Sequence, residues 1–283
     1  MITTIKNSFL TAEIKHFGAE LISLKTNLNK EFIWEGNPEF WGKHSPILFP
    51  IVGTLKNNSF QHNGIEYHLS RHGFARDMAF ELFDATENSA TFSIQSSEET
   101  LKVYPFEFEL QLIYTLDGNN LSIAYKVINN GKTAIPFSIG AHPAFALPNQ
   151  FKNYAIAFEK EEPLEYYLLE NDLISNNKKK LEVHNKQIPL TYQLFENDAL
   201  IFKALQSNSL TILENENPIL RVHFEDFPNL GIWTKMNAHF LCIEPWFGYS
   251  DTNENFGNLL EKEGIQILKP NEIFNSKFSI EIL

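Results

Sequence analysis

The chain has 283 residues, of which 43% are hydrophobic and 13% aromatic, and its formal net charge is −12. This apolar content is too high for a disordered chain, and a single cysteine, Cys242, excludes a disulfide scaffold. The acidic balance argues against a nucleic-acid-binding protein, because neutralising phosphates requires clustered lysine and arginine. The 25 phenylalanines predict a large hydrophobic core.

The N-terminal residues 1–10 lack a basic start followed by an apolar run, so we expect no signal peptide. No apolar stretch approaches the roughly 20 residues that a membrane-spanning helix requires. Cys242 lies between Leu241 and Ile243 and is predicted to be a buried, unreactive strand residue. These features predict a cytoplasmic protein that does not bind membranes, as a monomer or a homodimer.

Strand-like patterns dominate the chain. Apolar and polar residues alternate in five segments, which are 91–94, 108–114, 121–127, 219–224 and 278–282. The turn-forming residues 117–120 predict a β-hairpin between the second and third segments. Residues 96–104 predict a short helix, and the lysines at 178–180 a solvated loop. Together these patterns predict one all-β domain over residues 1–283, a largely antiparallel sandwich.

Several common functional motifs are missing from the sequence. It contains no Walker-A loop, GxGxxG, CxxC, HExxH, EF-hand loop or GxSxG. We therefore expect no nucleotide, no metal and no cofactor.

Three stretches interrupt the strand pattern with polar chemistry. The first spans residues 71–77 and places Arg71 and Arg76, two of three arginines, on either side of His72. Gly73 lets the backbone turn there or approach a ligand closely. This stretch is either a surface turn with solvated charges or a pocket that donates hydrogen bonds to hydroxyls or anions.

The second and third stretches carry a candidate acid and a candidate base. His142 lies within residues 138–145 and is either a satisfied core histidine or a proton donor. Glu244 ends an apolar strand, where burial would raise its pKa toward that of a general base. The alternative for Glu244 is a structural ion pair. Trp233, Trp246 and Phe74 are the aromatic candidates for stacking on a sugar ring.

Taken together, these stretches resemble the aldose 1-epimerase (galactose mutarotase) family, and within it a bacterial branch that looks like the LacX proteins. The resemblance covers nearly the whole chain in order, through FPIVG at 49–53, HGFAR at 72–76, GAHPAF at 140–145, DALIF at 198–202, GIWTK at 231–235 and CIEPW at 242–246. It implies the family's galactose mutarotase-like β-supersandwich. It also implies interconversion of the α and β anomers of an aldose without a cofactor.

The resemblance assigns roles by motif. Glu244 matches the base that removes the proton from the C1 hydroxyl, and His142 matches the acid that protonates the ring oxygen. His72 matches a second histidine that holds the sugar, and Asp198 matches an aspartate that binds ring hydroxyls.

The sequence departs from many galactose mutarotases at two places. Lys56 follows the VG segment where they carry an arginine, so we predict that Lys56 contacts the substrate instead. Ala144 replaces a tyrosine that often follows the catalytic histidine.

Two other functions remain open. HGFAR also occurs in a hexose-6-phosphate epimerase branch, in which Arg71 and Arg76 would contact the phosphate. A non-catalytic sugar-binding or sensing protein is the third hypothesis. A glycoside hydrolase would need a second suitably spaced carboxylate.

Overall fold

The computed structural model describes residues 1–183, 186–254 and 257–283, and strands form most of them. In chain order the strands are β1 (Ile2–Lys6), β2 (Leu10–Lys15), β3 (Glu20–Thr26), β4 (Ile47–Leu48), β5 (Ser59–His62), β6 (Ile65–His68), β7 (Glu81–Ala85), β8 (Ser89–Gln95), β9 (Glu109–Asp117), β10 (Asn120–Ile128), β11 (Ile135–Phe137), β12 (Ile139–Ala141), β13 (Ala144–Ala146), β14 (Tyr154–Phe158), β15 (Glu165–Glu170), β16 (Leu173–Lys180), β17 (Gln187–Pro189), β18 (Leu200–Phe202), β19 (Ser209–Glu214), β20 (Asn217–His223), β21 (Asn229–Trp233), β22 (Phe240–Phe247), β23 (Gln266–Leu268) and β24 (Ile273–Ile282).

Helical structure in the described residues is short. It consists of the helix α1 (Glu98–Val103) and of 3₁₀ turns at Lys56–Asn58, Ala75–Asp77, Phe151–Asn153, Tyr192–Phe195 and Leu259–Glu261. None of these helices is long and apolar enough to cross a membrane.

Two large sheets dominate the architecture. One has nine strands in the order β17-β14-β19-β20-β24-β10-β9-β8-β7, and the other follows the order β16-β15-β18-β21-β22-β12-β4, with β13 also paired to β22. Every ladder between named strands is antiparallel, and residues of both sheets pack into one hydrophobic core. The prediction of a largely antiparallel all-β fold is confirmed.

Local patterns account for the elements that the sequence predicted. The hairpin is β9 and β10, with Asp117 paired to Asn120 and alternate side chains buried along both strands. The predicted helix is α1, which begins with a capping box between Ser97 and Thr100. The prediction of a loop at 178–180 is wrong, because these residues continue β16, although their side chains are exposed as expected.

Strand β22 is buried on both faces and separates the core from the site. Leu241 and Ile243 belong to the main core, whereas Cys242 and Trp246 belong to smaller clusters on the opposite face. Because strand side chains alternate between faces, Glu244 points to the same side as Cys242 and Trp246. Cys242 is fully buried, as predicted.

Candidate active site

A cavity of about 310 Å³ opens on the face of the second sheet that lies away from the main core. This volume is at the lower end of the roughly 300–1,000 Å³ typical of small-molecule sites, which suits a single sugar ring. Eight residues predicted for the site line the cavity, namely Arg71, His72, Arg76, His142, Asp198, Trp233, Glu244 and Trp246.

Strand register brings the candidate acid and base together. Gly140 pairs with Trp246, and Ala144 pairs with Cys242, across β12, β13 and β22. On an antiparallel ladder this register sets His142 directly across from Glu244. The His142 Nε2 atom lies 3.2 Å from the Glu244 Oε2 atom. Both residues are therefore fixed by backbone pairing rather than by a mobile loop.

Burial favours the neutral form of each member of this pair. Glu244 is 1% exposed, and burial raises its pKa well above the ordinary value, while Arg71 opposes the rise. Burial also lowers the pKa of His142 to about 3. Burial therefore favours one proton shared across the 3.2 Å contact over two separate charges.

His72 is a neutral hydrogen-bond donor in this geometry. The backbone N–H of Gly53 donates to its Nδ1 atom at 3.1 Å, so the ring proton belongs on Nε2. Burial and the neighbouring His142 hold the pKa of His72 well below the usual value. The Arg71 Nε–H is directed at Nε2 as well, at 3.3 Å. Because a neutral imidazole accepts at only one nitrogen, the shorter Gly53 bond takes the acceptor, and a ligand oxygen placed between Arg71 and Nε2 would accept from both N–H groups.

Carboxylates and carbonyls already engage both arginines at the cavity. Arg71 lies 3.1 Å from the Asp172 carboxylate and 3.9 Å from that of Asp198. Arg76 donates to the Arg71 carbonyl at 2.7 Å and lies 3.6 Å from Asp77. The Asp198 Oδ1 atom accepts the N–H of Ala199 at 2.8 Å, which fixes this carboxylate at the cavity wall.

Tryptophans form the apolar walls. The indole of Trp246 donates to the Ala141 carbonyl at 3.2 Å. Its ring lies over Gly140 and Gly231, where any Cβ atom would overlap it. Trp41 stacks on the His142 ring with the centroids 4.8 Å apart and meets Trp233 edge to face.

The sequence analysis missed Trp41, and also Gly53, Leu169, Ala199, Ile201 and Ser250, which line the cavity as well. The one sequence signal for Trp41 was an aromatic pair, Phe40 and Trp41, outside any strand pattern.

Two residues that were predicted to contact the substrate, Lys56 and Phe74, do not line the cavity. Lys56 is not among the lining residues, since its Nζ atom donates to the Asn253 carbonyl at 2.6 Å in a 3₁₀ turn. The geometry thus gives no support to Lys56 as a substrate-binding residue. Phe74 packs against the main core beside Phe49 and does not line the cavity either.

Comparison with known proteins identifies the family and the fold. A family model described as aldose 1-epimerase matches residues 1–280. The plasmid-encoded LacX protein of Lactococcus lactis subsp. lactis is 35% identical over 297 residues, covering 100% of this chain and 99% of that protein.

Two solved structures share the architecture at full length. A galactose mutarotase related enzyme from Lactobacillus acidophilus superimposes with a TM-score of 0.96 at 35% identity, covering 100% of this chain and 97% of its own. A galactose mutarotase-like protein from Lactobacillus casei ATCC 334 gives a TM-score of 0.94 at 29% identity, with 100% of both chains covered. The expected galactose mutarotase-like fold is confirmed, and the chain belongs to the aldose 1-epimerase family.

Proposed function

We propose that the protein is a mutarotase, which interconverts the α and β anomers of an aldose by acid/base-catalysed ring opening at C1. The observation that carries the proposal is the buried His142–Glu244 pair, 3.2 Å apart, at the wall of a sugar-sized cavity. An acid and a base must flank the same C1–ring-oxygen unit, and the closeness of these two side chains at the cavity wall supports such an arrangement.

The proton count of the pair fits the reaction. With one proton in the pair, its transfer from Glu244 to His142 gives a carboxylate base and an imidazolium acid. Glu244 then takes the proton of the C1 hydroxyl while His142 protonates the ring oxygen, and the bond between C1 and the ring oxygen breaks to give the open-chain aldehyde. Rotation about C1–C2 presents the other carbonyl face. Closure returns both protons, so no redox partner is consumed.

The remaining lining residues support binding of the ring. The Nε2–H of His72 would donate to a ring hydroxyl, and the Asp198 carboxylate would accept from one. Trp41, Trp233 and Trp246 supply apolar surface for the C–H faces of the sugar. These groups suit a polyhydroxylated ring, because they combine apolar surface with a hydrogen-bond donor and an acceptor.

A neutral aldose fits better than a phosphate ester. Arg71 and Arg76 lie at the cavity, which favours an anion, but the carboxylates of Asp172, Asp198 and Asp77 are already beside them. A dianionic phosphate would have to displace these ion pairs and would also meet Asp198.

Polarimetry of freshly dissolved α-glucose and α-galactose tests the proposal. We expect the enzyme to accelerate mutarotation of an aldose, and His142→Ala or Glu244→Gln to slow it by roughly 10²–10⁴-fold. His68→Ala is the matched control, because His68 is exposed on β6. The proposal fails if micromolar protein accelerates no aldose above buffer.

Glucose 6-phosphate separates the second candidate, a hexose-6-phosphate 1-epimerase, from the first. If that candidate were correct, glucose 6-phosphate would be the preferred substrate, and Arg71→Ala would weaken its binding more than that of glucose. A non-catalytic sugar-binding protein would instead keep its sugar affinity in His142→Ala and have no turnover to lose.

A further inference from the structure

Three side chains with three different donor atoms converge beneath the cavity. One ligand atom each of His142, Cys242 and Glu244 lies within 4.8 Å of the other two. Cys242 and Glu244 are two residues apart on β22 and face the same side, and His142 lies across the ladder from Glu244. All three residues are buried. Sequence motifs gave no sign of this cluster, because His142 lies 100 residues before Cys242 in the chain.

The spacing suits a small cation after a modest contraction. Any three atoms within 4.8 Å of one another share a point no more than about 2.8 Å from each, whereas zinc–ligand bonds measure about 2.0–2.3 Å. Rotamer adjustments of about half an ångström would therefore close the site. Three protein ligands with a fourth position open to a cavity are also typical of zinc sites that keep an exchangeable ligand.

The donor set selects the class of cation. A thiolate and an imidazole favour Zn²⁺ and its heavier analogue Cd²⁺, whereas Mg²⁺ and Ca²⁺ prefer all-oxygen sites. The apolar neighbours of Cys242, among them Ala144 and Phe240, exclude competing water ligands from the back of the cluster. A divalent cation would also neutralise a thiolate and a carboxylate that burial otherwise disfavours.

We propose that His142, Cys242 and Glu244 form a binding site for a thiophilic divalent cation of the zinc class, and that this cation inhibits the enzyme by displacing the proton of the acid/base pair. Binding releases two protons, one from the thiol and one from the pair, and involves no redox change. The cation site stands independently of the mutarotase proposal, and only the inhibition rests on it.

Cadmium reports on this site directly, because Cys242 is the only cysteine in the chain. Titration of the full-length protein with Cd²⁺ should produce a thiolate-to-cadmium charge-transfer band in the ultraviolet that saturates at one equivalent and is reversed by Zn²⁺. Cys242→Ala should abolish the band. Glu244→Gln and His142→Ala should keep the band but weaken Cd²⁺ binding. Because both residues are direct ligands in the proposal, the loss of affinity should exceed the roughly 10- to 100-fold that removal of an outer-shell partner costs. His68→Ala should leave it unchanged.

Two results would overturn the site. One is the absence of any band at neutral pH in a protein whose thiol reacts fully once unfolded, and the other is a Cd²⁺ affinity that Glu244→Gln and His142→Ala leave unchanged. Polarimetry then tests the inhibition. Zn²⁺ should suppress the wild-type rate reversibly with a chelator, and Cys242→Ala, scored against its own rate without metal, should require a higher Zn²⁺ concentration. A Cys242-dependent band without inhibition would refute proton displacement and leave the cation site in place.

Discussion

The indole ring of Trp246 packs against two glycines, Gly140 and Gly231. The substitution Gly231→Ala is predicted to displace the ring. A Cβ atom added at Gly231 would come within 3.0 Å of three atoms of the indole, and Gly140 approaches the opposite end of the same ring. Both glycines are on strands, and Trp246 is 5% exposed, so the open space beside the ring is the cavity that it lines. Overpacking of this kind costs about 1–3 kcal/mol.

The loss of folding stability in Gly231→Ala can be measured by thermal denaturation. For a chain of 283 residues, this loss lowers the melting temperature by ~2–5 °C. Gly42→Ala is the matched control, because its nearest neighbour would be an ordinary 3.7 Å contact with Pro38. Circular dichroism of the two variants and the wild type gives the comparison. Gly231 also pairs with Glu244, so we expect Gly231→Ala to raise KM for the sugar as well.

A double-mutant cycle tests the cause. Trp246→Phe removes part of the ring that the new methyl group would strike, so Gly231→Ala should cost less in that background than in the wild type. Equal costs in both backgrounds, or a Gly231→Ala melt as mild as that of Gly42→Ala, would refute the steric argument.

Two further predictions concern ionisation. Because burial lowers the pKa of His142, a second proton enters the pair only as the pH falls toward about 3, so the acid limb of the mutarotation rate should lie below about pH 5. Trp41→Ala, which opens the ring to water, should move this acid limb upward, and a wild-type limb near 6.5, the usual histidine pKa, would contradict the assignment. Lys262 and Asp251 form an ion pair 3.2 Å long with both side chains 1% exposed, so Lys262→Met should cost about 3–5 kcal/mol in urea unfolding by leaving a buried carboxylate unpaired. Lys180→Met, which breaks the exposed pair with Glu165, should cost less than about 1 kcal/mol, and similar losses for the two variants would count against the burial argument.

Local sequence and motifs were enough to predict the strands, the hairpin and eight of the residues that line the cavity. Alternating side chains predicted β9 and β10, because a strand half buried in a sheet needs that period. His72 lies in a turn and His142 between two strands, where the pattern breaks, whereas Glu244 lies inside β22 and not at its end as the sequence suggested; all three residues line the cavity.

The same reasoning failed where a long-range contact sets the position of a side chain. Lys56 follows the lining residue Gly53 closely in the chain. The backbone turns at the next residue, Asn57, and the Lys56 ammonium donates to the Asn253 carbonyl. Trp41 reaches His142 because Lys235 bonds to the Phe40 carbonyl and the Trp34 indole to the Trp41 carbonyl. Neither outcome leaves a trace in local composition.

The sequence by itself determined the all-β class, the alternation that buries one face of β10, and the residue types able to act as acid and base. Only the tertiary structure decided that His142 and Glu244 meet, because their distance follows from the register of β12 and β13 on β22. It also decided that Cys242 lies beside them and that the arginines are already paired. Periodicity assigns a side chain to a face, whereas the pairing of strands remote in the chain determines which side chains on that face are neighbours.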